Sequence, residues 1–189
     1  ISKIEFEISY LFEFFGSKYN TRIIYISFLQ AFLSAFFSCF IAVLFSLSLY
    51  RNKHLKIVKF VISLCGYSFV IPSILIVHSV IGIYGRNGFL NNIINFYDFF
   101  NINSLFGLKG ILIAHILLNA PFATRLFFQN LNSIPKNYIE IGNSLNLNFW
   151  SFVFKIEWPI IRQNILSIFS IIFILCFLSF AIVMTLGGG

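Results

Sequence analysis

Charge is scarce in this chain. Only 10% of its 189 residues are Asp, Glu, Lys or Arg, and only six are acidic, whereas an ordinary soluble domain has about a quarter of its residues charged. So little charge cannot solvate a whole surface, which excludes a typical soluble fold and points to a bilayer. Cysteine is also sparse. Cys39, Cys65 and Cys176 are odd in number and all fall within apolar runs, so no disulfide framework is expected and they read as small apolar fillers. Chemistry is missing as well. The chain has no Gly-x-x-x-x-Gly-Lys-Ser/Thr run, no Gly-x-Ser-x-Gly elbow, no paired carboxylates and no His and Cys at metal-ligand spacing, so neither an enzyme nor a metal or cofactor carrier is expected.

What is present is hydrophobic length. Uncharged runs of 28 residues (Ile23 to Tyr50), 26 (Phe60 to Gly85) and 24 (Gln163 to Leu186) each exceed the roughly 20 apolar residues that a membrane-spanning helix needs. Gly110 to Thr124 continues apolar past Arg125 if that side chain snorkels to a headgroup, giving a fourth expected span. Pro72 predicts a kink within the second span, static or hinged. No signal peptide is expected, because Glu5, Glu7 and Glu13 precede the first apolar run. The start at Ile1 and the end at Gly189, directly after a span, give the expectation of a fragment or half of a longer protein.

Four spans place eight basic residues, Arg51, Lys53, Lys56, Lys59, Arg125, Lys136, Lys155 and Arg162, on one side and five, Lys3, Lys18, Arg22, Arg86 and Lys109, on the other. The basic side is the expected cytoplasmic side. The net charge of +7 therefore reflects orientation, and loops this short offer nucleic acid no surface. Glu5, Glu7, Glu13 and Asp98 then lie outside, leaving Glu140 and Glu157 as the cytoplasmic acids.

Both fall in the loop 132–162. Ser133 with Pro135 predicts a helix start, Asn146-Leu147-Asn148 a turn, and Asn148 a second cap. Beyond it Phe149, Phe152, Val153 and Ile156 share one helical face, until Pro159 stops the helix or opens the next span. Two short helices at an angle either lie flat on lipid or fit a groove in another protein.

Within the spans, His115 and Asn119 lie four apart on one face. They either belong to a translocation path, or His115 donates to a neighbouring carbonyl while Asn119 serves the backbone freed by Pro121. His78 has the same two readings. Arg51 and Arg125 mark span ends, where interfacial solvation suffices. Arg86-Asn87-Gly88 reads as an outer surface turn or a contact for a partner.

The loop resembles that of binding-protein-dependent ABC importer permeases: Glu-Ala-Ala, three residues, Gly, nine residues, Ile-x-Leu-Pro. Glu140 opens it, Asn146 stands at the glycine and Ile156-Glu157-Trp158-Pro159 closes it, with Ile141-Gly142 for Ala-Ala and Trp158 for Leu. Asn is the commonest substitute where φ is positive. Further segments are similar to the first half of thiamine importer permeases: Phe28-Leu-Gln-Ala-Phe-Leu-Ser-Ala, Tyr84-Gly-Arg-Asn-Gly-Phe-Leu, Gly110-Ile-Leu-Ile-Ala-His, Asn119-Ala-Pro-Phe-Ala-Thr-Arg-Leu and Leu175-Cys-Phe-Leu-Ser-Phe-Ala. This resemblance implies an all-α polytopic membrane helix bundle of the type I ABC importer permease kind, with residues 1–189 as one transmembrane domain in the bacterial inner membrane. It implies a coupling loop carried by Glu140, Gly142, Asn146, Phe149, Ile156 and Pro159, which cytoplasmic ABC ATPase subunits grip. A periplasmic substrate-binding protein would deliver thiamine or its phosphates, and a second permease half would complete the path. Iron(III) and sulfate or molybdate permeases share the loop, and a structural membrane subunit without transport is the reading from another class.

Overall fold

A computed structural model describes residues 17–94 and 105–187 of the chain; Lys3, Glu5, Glu7, Glu13 and Asp98 lie outside them. Every element among the described residues is helical. In chain order they are α1 (Lys18–Arg51), α2 (Lys56–Tyr67), α3 (Ser73–Tyr84), α4 (Phe89–Ile94), α5 (Leu108–Asn132), α6 (Lys136–Ser144) and α7 (Phe149–Phe152). A π-helical turn, Val153–Glu157, then leads into α8 (Trp158–Phe177) and α9 (Phe180–Leu186). This is an all-α polytopic membrane architecture.

Among the described residues, three helices are long and apolar enough to cross a bilayer: Lys18–Arg51, Leu108–Asn132 and the continuous Phe149–Phe177. At 1.5 Å per residue α1 extends about 50 Å, well beyond a hydrocarbon core of about 30 Å. The second of the three, α5, contains the expected span around Gly110 to Leu131.

Two expected spans are broken. The run Phe60 to Gly85 is two twelve-residue helices, α2 and α3, joined by Ser68–Pro72, rather than one kinked helix. Each is about 18 Å long, so neither crosses alone. Pro72 stands just before α3 with ψ 132°, and a proline pushes the residue before it out of the helical region while donating no N–H. The run Gln163 to Leu186 breaks at Leu178 and Ser179, where Phe180 N–H donates to the Leu178 carbonyl at 2.9 Å and Ser179 adopts φ −79°, ψ 77°, an inverse γ-turn.

The core lies where α1, α5 and α8 meet. Small residues let α1 and α5 approach closely: Ala31, Ala35, Ser38 and Ala42 from α1 and Ala120 and Ala123 from α5 are buried, as expected where no hydrophobic drive exists between helices in lipid. Across α1 and α8 the seam is aromatic, with edge-on pairs Phe28–Phe173 and Phe32–Phe169 at 5.2 and 5.5 Å. A second cluster joins α3, α5 and α9 through Val77, Val80, Ala114, Ile182 and Leu186. The exposed outer aromatics of α1, including Phe36 and Phe40, face where lipid or further helices would stand.

Candidate functional site

The loop after α5 is an elbow, and its bend is built by two asparagines. Asn146, at φ 45°, is the sole non-glycine residue with positive φ among the described residues. The Leu147 N–H reaches back to the Gly142 carbonyl at 3.2 Å, a six-to-one bond of the Schellman type that closes α6. Asn148 caps the next helix, its Oδ1 accepting from the Ser151 N–H at 2.9 Å. Both features follow the expectation from sequence. Ser133 does not: its hydroxyl donates to the Asn130 carbonyl at 2.7 Å, so it closes α5 instead of opening α6.

The two arms of the elbow close on Gly142. A Cβ there would stand 2.7 Å from Ile156 Cδ1 and 2.9 Å from Phe152 Cε2, so a residue without a side chain is what permits the contact. Of the expected apolar face, Val153 is buried and Phe152 and Ile156 are half-buried, while Phe149 is exposed. Glu140, Tyr138, Ile141, Leu145, Trp150 and Phe154 also stay exposed, beside Lys136, Asn137, Ser144 and Lys155, so the elbow presents a mixed apolar and polar surface carrying one exposed carboxylate.

Pro159 does not stop the helix; it lies in the first turn of α8 and so opens the next span, the second of the two expectations. Without an N–H it cannot bond the carbonyl four residues back, and its ring crowds the preceding turn. The turn just before it is widened into a π-helix, with Trp158 N–H donating to the Val153 carbonyl, so the strain is absorbed and the helix runs on. The elbow's second arm is therefore continuous with the α8 span.

That arm is pinned to α1. Arg51 Nη2 donates to Glu157 Oε2 at 2.8 Å, with Glu157 only 1% exposed and Arg51 26%, and the guanidinium carbon lies 3.9 Å from the centre of the Phe149 ring. Solvation alone does not account for Arg51; it joins two ends of the elbow arm to the end of the first span. Arg125 is likewise half-buried, and a Cβ on Gly66 of α2 would collide with its guanidinium. Sequence reasoning missed both partners, which are distant along the chain.

At mid-bundle, a cavity of about 250 Å³ opens between the two helix breaks. Ser68, Phe69, Ile71 and Ser73 from the first break, Leu175, Leu178 and Ser179 from the second, and His115, Leu118, Asn119 and Phe122 of α5 line it. His115 is fully buried, with Nδ1 3.1 Å from Ser34 Oγ of α1 and Nε2 without a partner. Asn119 donates to Cys176 Sγ of α8 at 3.3 Å. Both therefore reach side chains on other helices, not the carbonyls considered above. His78 is not part of this wall: it is exposed and bonds the Ile74 carbonyl of its own helix at 2.8 Å. No group of three His, Cys, Asp or Glu residues is placed to hold a metal among the described residues.

No family model matches the chain. Over 175 residues, 93% of its length, it is 41% identical to the thiamine transport system permease protein ThiP of Haemophilus influenzae, and over 174 residues, 90% of its length, 36% identical to the protein of the same name from Escherichia coli. It is 30% identical over 105 residues, 55% of its length, to the ferric transport system permease protein FbpB of Actinobacillus pleuropneumoniae. The chain spans about a third (32%) of the length of the two thiamine permeases.

Proposed function

We propose that this multi-pass inner-membrane chain, homologous over nine-tenths of its length to thiamine transport permeases, forms part of the membrane path of an ATP-driven importer for thiamine and its phosphates. The observation that carries the reading is the elbow. Its left-handed Asn146, its capping Asn148 and the Gly142 contact give a rigid knob with the family's spacing of Glu140 to Pro159, and its outer face is left uncovered by the rest of the described chain. An ATPase subunit is the partner this surface suits, and it would supply the energy. A periplasmic binding protein would deliver cargo, and the rest of the permease would close the path.

The geometry supports a lever. The elbow's second arm runs without interruption into α8, and Arg51 ties it to α1 through Glu157. A push on the knob is thus transmitted as movement of α8 and α1 together, not dissipated in a loop. Those helices hold the cavity wall at its other end, through Ser34 to His115 and Cys176 to Asn119. Tilting them against α5 changes access to the cavity, which is alternating access in structural terms.

Glu140→Lys in the full-length permease tests this. Glu140 is exposed, so the substitution leaves the bundle intact and reverses the charge that faces the partner. Loss of ATPase co-purification and of thiamine uptake is expected. Undiminished co-purification and uptake would overturn the reading.

A further inference from the structure

We propose that the mid-bundle cavity is a transient subsite for the neutral aminopyrimidine ring of the cargo, with His115 and Asn119 reading its hydrogen-bonding edge; this rests on the reading of the chain as part of a thiamine permease. His115 sets the first constraint. Its ring is oriented by Ser34 at Nδ1, yet Nε2 is buried and unpaired, an unsatisfied state that a visiting polar group relieves once movement of the helices opens the wall, His115 being fully enclosed in this arrangement. Whichever tautomer is present, the free nitrogen offers one donor or one acceptor. Asn119 adds both kinds. Its donor is committed only to a thiol sulfur, a weak acceptor that a better ligand displaces.

The lining selects charge by omission. Among the described residues no Asp, Glu, Lys or Arg lines the cavity, so a permanent cation placed against this wall would be desolvated without a counter-ion. A neutral nitrogen heterocycle meets no such penalty. Phe69 and Phe122 lie stacked at 5.1 Å with an interplanar angle of 29° on the same wall, giving a planar ring an aromatic platform. Size points the same way. A cavity of about 250 Å³ falls below the roughly 300–1,000 Å³ that encloses a drug-sized ligand, so it takes one ring and leaves the cationic thiazolium to the facing part of the permease.

Oxythiamine, which carries an oxo group in place of the pyrimidine amino group, inverts two adjacent positions of the edge: the amino donor becomes a carbonyl acceptor and the neighbouring ring nitrogen becomes an N–H donor. Full-length permease with its ATPases in proteoliposomes, fed binding protein saturated with either compound, gives a ratio of thiamine to oxythiamine uptake. That ratio is expected to fall at least fivefold in Asn119→Asp and in His115→Gln relative to the unsubstituted permease. A defect of packing slows both cargoes alike and leaves the ratio unchanged. An unchanged ratio in both variants overturns the subsite while thiamine uptake by the unsubstituted permease still stands. Failure of that permease to take up thiamine at all overturns the function itself. If the variants do not assemble, an aryl-azide analogue replacing the pyrimidine is photolysed in the unsubstituted complex. Adducts within residues 68–73 or 115–122 support the subsite, and adducts confined elsewhere in the permease overturn it.

Discussion

Glu157 and Glu140 are the two acidic side chains within the described residues, and they have opposite situations. Glu140 is exposed on the knob; Glu157 is buried under Arg51. Removing one partner of a buried pair leaves the other charge uncompensated, which costs about 3–5 kcal/mol when both are fully enclosed. Arg51 is partly exposed, so water recovers part of that loss. Arg51→Met is therefore expected to cost about 2 kcal/mol, and Glu157→Gln about 1, since an amide still accepts from the guanidinium. Replacing both, as Arg51→Met with Glu157→Leu, removes the charge problem and recovers most of the loss. Thermal unfolding of the permease in nanodiscs measures this, each kcal/mol moving Tm by roughly 2–4 °C. A Tm for Arg51→Met equal to that of Glu157→Gln would show that no buried charge had been stranded.

At the scale of elements, the elbow stands or falls on its left-handed residue. Asn146→Gly relieves the strain of φ 45° and is expected to leave ATPase co-purification intact, whereas Asn146→Val forces a β-branched residue into a region costing roughly 1–2 kcal/mol and should unseat the knob. Equal co-purification by the two variants would remove the turn from the coupling argument. This bend was legible in the sequence because it is local: Asn146 and Asn148 carry their own reasons, a tolerated positive φ and a side-chain cap. The break at Leu178–Ser179 was not, since neither a glycine nor a proline marks it and the run is uniformly apolar. Arg51 meeting Glu157, and Arg125 lying over Gly66, were hidden for a different cause. They depend on how α1, α5 and α8 pack, which span length and charge asymmetry leave open. His115 and Asn119 were legible as a pair on one face, but the cavity they share arises only once both helix breaks are set against α5.

At the scale of the molecule, coupling to an ATPase requires the elbow and the Arg51 end of the bundle on one side of the membrane and the α3–α4 turn on the other. The structure brings Arg51, Phe149 and Glu157 together at one end, the end where the excess of Lys and Arg predicts cytoplasm. Asn87 and Asn137 are exposed and fall on opposite sides of this arrangement. In cells carrying the full-length permease, Asn87→Cys should react with a membrane-impermeant maleimide added from the periplasmic side, and Asn137→Cys only after the inner membrane is opened. The native thiols interfere little: Cys39 and Cys176 are buried and Cys65 is half-buried, all within apolar helices where a polar reagent does not dissolve. Labelling of Asn137→Cys in intact inner membranes would put the knob on the side where no ATPase can reach it, and the lever built on α8 and α1 would have nothing to push it.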